Sequence, residues 1–129
     1  MTRHRPRRLI VGIASFAEMK ARTMAIARGE LRPGPDDPKV WFPSAETFGK
    51  VLSGRNRELL ARIRVDRPAS LQALSDLTGR AVSNLSRTLK TMASYGLVEL
   101  KPGPRGTLRP EVPYDEVDVR VPLRAEAAE

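Results

Sequence analysis

TGRAVSNLSRTLKTMASYGLVEL, residues 78–100, starts on a glycine-containing turn, continues as a helical pattern rich in Ser, Asn, Arg and Lys, and closes on a short apolar run. Advancing by about 100° per residue from Val82, the side chains of Leu85, Leu89 and Met92 fall between about 280° and 340°, a narrow apolar stripe. Arg80, Ser83, Asn84, Arg87, Thr91 and Ser94 fall between about 100° and 200°, with Lys90 at about 80°. One face therefore belongs to a core, and the opposite face consists of hydrogen-bond donors. No acid stands between Ala81 and Gly96, whereas a solvated helix of this length ordinarily balances its Lys and Arg with Glu or Asp. Such a face suits an anionic partner.

Upstream, Ser70 is placed to cap a helix of about two turns over LQALSDL, in which Leu71, Leu74 and Leu77 recur at helical spacing. Gly79 supplies the left-handed residue that ends it. Two further helices are expected before Pro68. One is capped by Ser44, with Phe48, Val51 and Leu52 on a face. The other lies over NRELLARIRV, with Leu59, Leu60 and Ile63 inward and Arg55, Arg57, Arg62 and Arg64 forming a solvated face. Leu59, Leu74, Leu85 and Leu97 are core positions. Downstream, LVEL (Leu97–Leu100) is a short strand, and KPGPRGTLRP is a Gly/Pro hairpin tip carrying Lys101, Arg105 and Arg109. EVDVRV then alternates, with Val117, Val119 and Val121 on one side and Glu116, Asp118 and Arg120 on the other, as a half-buried strand does.

At the other end, residues 1–8, MTRHRPRR, are charged and interrupted by proline and read as a disordered basic arm, either solvated or reaching for DNA. LIVGI (Leu9–Ile13) reads as a strand, and Ser15 with Glu18 is a capping-box pair opening a helix that ends at Gly29. Phe16, Met19, Thr23, Ile26 and Ala27 share a stripe on that helix. The following GELRPGPDDPKV holds three prolines and reads as a linker. The expected organisation is thus a strand-helix extension with linker over 9–40, a main domain over 41–123 and a frayed tail over 124–129. LIVGI is apolar at almost every position, and the Phe16 stripe lies apart from the main domain. Leu9, Val11, Ile13, Phe16, Met19 and Ile26 are therefore expected to form a homodimer interface; packing back on the chain's own domain is the alternative way to bury them.

Composition narrows the chemistry. The chain has 129 residues, 23 Lys and Arg against 15 acids, a net charge of +8 and a pI near 10.8. Residues 111–129 carry six acids and two arginines, a net of −4, which leaves +12 on residues 1–110. The basic part is where an anionic partner would dock. There is no cysteine, and the one histidine, His4, is in the basic arm, so no disulfide frame, thiolate chemistry or metal cluster is expected and a reducing, cytoplasmic setting fits. RHRPRR followed by LIVGIASFA superficially has the shape of a signal peptide, but Glu18, Lys20 and Arg22 follow without a cleavage pattern. No stretch approaches the roughly 20 apolar residues that span a bilayer. Asp115, Glu116 and Asp118 have no His or Cys near them, and no phosphate-cradling glycine loop is present, so neither an enzyme nor a cofactor is expected.

Short helix, glycine turn, second helix and basic hairpin is the order of a winged helix-turn-helix, an α+β and mostly helical fold. Residues 68–100 resemble the MarR- and ArsR-like winged-helix regulators of bacteria and archaea. A pattern V-x-x-L/V-S-R-x-L-x-x-L-x-x-x-G-L-V recurs there, occupied here by Val82, Leu85, Ser86, Arg87, Leu89, Met92, Gly96, Leu97 and Val98. Together with GIASFAEMKARTMAIARGE, FPSAETFGKVLS and VPYDEVDVRV, the chain over residues 9–121 is similar to small prokaryotic proteins regarded as predicted transcriptional regulators, some of whose genes neighbour those of toxin-like proteins.

The resemblance implies a dimeric repressor or antitoxin-like autoregulator with double-stranded DNA, and a toxin-like protein, as partners. In such a protein the recognition helix (Arg80, Ser83, Asn84, Arg87, Lys90, Thr91) faces base edges, and the wing (Lys101, Arg105, Arg109) faces phosphates or the minor groove. The sequence departs from the pattern before Ala81, where no Ser, Thr or Asp caps the recognition helix; Thr78 is the nearest candidate. A module that binds RNA or a protein has the same core and is the alternative, although three Phe, two Tyr and one Trp are few for a single-strand stacking platform.

Overall fold

Strand β1 (Arg8–Ile13) lies at the centre of a three-stranded parallel sheet of order β2-β1-β5, between β2 (Val40–Phe42) and β5 (Glu116–Arg120). A computed structural model of the chain describes residues 7–123; of the arm expected to be disordered over 1–8, Arg8 opens β1 and the Arg7 carbonyl accepts the Asp115 N–H, while the rest of the arm and the tail over 124–129 lie outside the described residues. Leu9, Ile10 and Val11 are all buried, as a central parallel strand covered on both faces requires. β1 leads through helix α1 (Phe16–Ala27) to β2, a β-α-β crossover, and Lys39 N–H donates to the Ile10 carbonyl while Ala14 N–H donates to that of Phe42.

Between β2 and β5 runs the helical core: α2 (Ala45–Val51), α3 (Gly54–Asp66), α4 (Leu71–Thr78), α5 (Val82–Ser94), and an antiparallel ribbon of β3 (Glu99–Pro102) and β4 (Leu108–Glu111). The architecture is α+β. Ser15, Ser44 and Ser70 cap α1, α2 and α4 as expected, and Ser15 and Glu18 complete a reciprocal capping box. Ser53, whose hydroxyl accepts from the Asn56 N–H, caps α3. α3 ends at Arg67, which takes the left-handed conformation at φ 48°.

One hydrophobic cluster joins sheet and helices: Leu9, Val11 and Phe42 pack with Leu59, Leu60, Ile63, Leu74, Leu85, Leu89, Met92 and Leu97. Burying each such side chain is worth roughly 1.5–3 kcal/mol. Phe42 is its hinge point. Its ring stacks on Tyr95 at 4.3 Å, just beyond α5, and meets Phe48 of α2 edge-on at 5.1 Å. The sheet thereby sets where α5 stands.

Three expectations change. Leu9 and Val11, at 3% and 0% exposure, lie in the chain's own core, and Ile13 packs against it. They are not available to a second copy, because a strand apolar at every position is satisfied by two parallel neighbours and a helical layer. For the same reason residues 9–40 are not a separable extension: the proline-rich segment leads from α1 into β2, the neighbour of β1 in one sheet. Third, Leu77 lies within α4 yet is 42% exposed, because each i+3 step falls about 60° short of a full turn and carries the third leucine off the core face. α1 keeps its length but buries none of its residues, leaving Phe16 at 85% exposure, Met24 at 43% and Ile26 at 37%, with Met19 half-buried.

Candidate nucleic-acid interface

Leu85, Leu89 and Met92 anchor α5 on the core, which turns Ser83, Asn84, Arg87, Lys90, Thr91 and Ser94 outward. No side chain caps the helix at Ala81. Thr78 does not do so: its hydroxyl donates to the Leu74 carbonyl (2.8 Å) and accepts the Arg80 N–H (3.3 Å). With no acid in the first turn either, the free N–H groups and the positive end of the helix dipole face solvent beside the donors.

The six expected recognition residues are not equivalent. The Arg80 guanidinium donates from Nε and Nη2 to Asn84 Oδ1 (3.1 and 2.9 Å) and from Nη2 to Thr88 Oγ1 (3.5 Å). Arg80 and Asn84 are thus tied to each other before any partner arrives. Burial, and next the positive charge of Arg55, hold the Arg80 pKa below its ordinary value. Thr91 Oγ1 donates to the Arg87 carbonyl (3.2 Å), and Ser94 Oγ to that of Thr91 (2.6 Å), so both hydroxyl protons are spent on the helix backbone. Ser83, Arg87 and Lys90 keep their donors open, and neither Arg87 nor Lys90 has a carboxylate partner among the described residues.

The ribbon divides in the same way. Its register sets Lys101 opposite Arg109 and Glu99 opposite Glu111. Lys101 Nζ lies 3.6 Å from Glu99 and 3.7 Å from Glu111, and Arg109 pairs with Glu111. Arg105, at the exposed tip, has no such partner among the described residues. Its backbone is left-handed at φ 60°, followed by Gly106 at φ 73°. The tip is closed by Thr107, whose N–H and hydroxyl both donate to the Pro104 carbonyl (3.1 and 2.7 Å), and by Gly103, whose N–H donates to the Thr107 carbonyl. A Cβ on Gly103 would stand 2.6 Å from Thr107 Oγ1, so this tight closure requires glycine.

Sequence patterning missed the contribution of α3. Arg62 pairs with Asp66 and donates to the Leu77 carbonyl, and Arg64 pairs with Asp115, so these two brace neighbouring elements. Arg55 instead shares a hollow of about 260 Å³ with Glu58, Arg62, Leu77, Thr78 and Arg80, adding a cation beside the α5 N-terminus. Nothing in the spacing of residues 55 and 80 signals that proximity. Among the described residues there is no group of His, Cys, Asp and Glu that could hold a metal, and no helix is long and apolar enough to cross a membrane.

No curated protein and no solved structure matches this chain. A family model, that of HVO_A0114, matches residues 51–119, from the end of α2 through α5 and the ribbon into β5. The match takes in the whole donor-bearing region and more than half of the chain, and on that footing the protein belongs to the HVO_A0114 family.

Proposed function

We propose that this protein binds double-stranded DNA with sequence preference, as a transcriptional regulator of the repressor or antitoxin-like autoregulator kind. α4 and α5 would act as a helix-turn-helix and the β3–β4 ribbon as its wing. The observation that carries the reading is the α5 face: thirteen residues without an acid, anchored by three buried apolar side chains, presenting Ser83, Arg87 and Lys90 with their donors uncommitted.

In this reading α5 enters the major groove, where an arginine meets a guanine edge bidentately. Arg55 and Arg105 would meet backbone phosphates on either side and set register without reading sequence. Two copies would read the two halves of a palindromic site, about 34 Å apart.

The test is to select duplexes from a random pool with the full chain, then titrate the enriched duplex, a shuffled duplex and single-stranded RNA by fluorescence anisotropy at several salt concentrations. Tighter binding of the enriched duplex, with a salt-dependent component common to both duplexes, is expected. Equal affinity for all duplexes, or preference for the RNA, would overturn the proposal.

A further inference from the structure

β5 is an edge strand. One side is bonded to β1, and among the described residues no strand pairs with the other. Exposed edges recruit further strands unless something blunts them. Beside the charged Glu116 and Arg120, apolar side chains are exposed here: Val119 of the strand is 37% exposed, and Val121 and Leu123, just past its end, are 50% and 95% exposed, while Val117, on the same face as Val119, packs against the core. On the other face Asp118 is held by Arg8 at 3.3 Å and by Arg120 at 3.8 Å, both partly open to solvent.

The order of side chains along this edge is self-complementary. If two copies of β5 run antiparallel about a two-fold axis through Val119, Val117 stands opposite Val121 of the second copy and Val119 opposite its own equivalent. Asp118 then stands opposite Arg120, twice over. Every cross-strand pair is apolar with apolar or acid with base, the combinations that favour an antiparallel ladder. Moving the axis to Asp118 would set the two Asp118 carboxylates against each other, which is unfavourable. Pro122 has no N–H to donate and ends the ladder just beyond Val121.

We propose that the free edge of β5 is the homodimer interface of this protein, joining two copies into one six-stranded sheet. The interface is isologous, the arrangement on which a two-fold dimer depends. Because the axis is normal to the sheet, both helical cores lie on the same side of it. α1, which lines a groove of about 960 Å³ together with Val119, Arg120 and Val121, is brought alongside the axis. The inference rests on the dimeric part of the proposed function and not on DNA, so an oligomer measurement tests it independently of any binding measurement.

Light scattering on the full chain should give twice the 14.3 kDa of one chain. Asp118→Arg and Arg120→Asp should each be monomeric, since each faces like with like across the axis. Their equimolar mixture should return to dimer, because the introduced charges then complement one another. A wild-type monomer overturns both the dimer and its interface. Single variants that remain dimeric, or a mixture that remains monomeric, overturn the interface alone.

A second measurement does not depend on how the charge variants fold. The chain has no cysteine, and Val119→Cys would place two thiols at the axis on strands about 4.5–5.5 Å apart, within disulfide reach. Oxidation should link most of the protein into covalent dimers, whereas Val65→Cys, on the exposed side of α3, should not. Equal cross-linking of the two variants would sink the proposal. So would the failure of Val119→Cys to cross-link, a result that also leaves the edge open to a partner of another kind.

Discussion

Arg87 and Arg80 lie on the same face of α5, yet the structure gives them different tasks. Arg87 is open, so Arg87→Ala should reduce the preference for an enriched over a shuffled duplex by about 1–3 kcal/mol, measured as the ratio of dissociation constants. An equal loss on both duplexes would make it a phosphate contact. Arg80 holds Asn84, so Arg80→Ala and Asn84→Ala should be coupled in a double-mutant cycle by about 0.5–3 kcal/mol. Arg80→Ala combined with Lys90→Ala should be additive within about 0.3–0.5 kcal/mol. Helical periodicity identified the donor face; it did not show which donors were already engaged, because that depends on side-chain geometry. Gly12 was equally silent in the sequence. A Cβ there would stand 2.4 Å from the Trp41 ring, which Arg22 overlies at 5.3 Å, so Gly12→Ala should destabilise the fold by about 1–3 kcal/mol, read as a lowered denaturation midpoint.

Among the elements, the ribbon and α1 respond to different variables. The Glu99, Lys101, Arg109 and Glu111 cluster is neutral as a set, which leaves Arg105 as the charge the ribbon offers. Arg105→Gly relieves a left-handed residue and removes that charge. The melting midpoint should hold or rise, while the slope of log affinity against log salt falls by about 0.9; Lys101→Ala should change the slope less. In α1, Glu18 has its pKa lowered by the Ser15 N–H and then by the Ser15 hydroxyl, and Asp37 has its pKa lowered first by its hydrogen bond from Arg22. A depressed folded pKa contributes stability above the ordinary carboxylate range and loses it as pH falls through the lowered value. An NMR titration should show both carboxyls titrating below free-peptide values, with the signal of the Ser15 amide, which donates to the Glu18 carboxylate, following the Glu18 carboxyl. Unshifted midpoints would remove the cap from the account of α1. The caps were legible because they are local, within three residues. The ribbon's neutrality was not, since it required the pairing register.

For the whole molecule, the central place of β1 predicts that removing residues 1–40 abolishes cooperative melting, since the truncation takes away Leu9 and Val11 and leaves β5 without its neighbour. A truncated chain that melts cooperatively would show the helical core to be self-sufficient. Sequence alone determined the helices over 45–94, the Ser44 and Ser70 caps, the glycine turn at Gly79, the apolar stripe of α5 and the acid-free face opposite it. All of these follow from periodicity and capping chemistry within a few turns of chain. Only the tertiary structure decided that LIVGI pairs in parallel with strands from both ends of the chain, that its side chains fill the chain's own core, and that Arg55 stands beside Arg80. It also decided which edge of the sheet is left free. The Arg8–Asp118 contact joins residues 110 apart: a parallel pairing needs a long crossover, so the partner of a strand is set by how the intervening helices pack and not by any pattern within the strand itself.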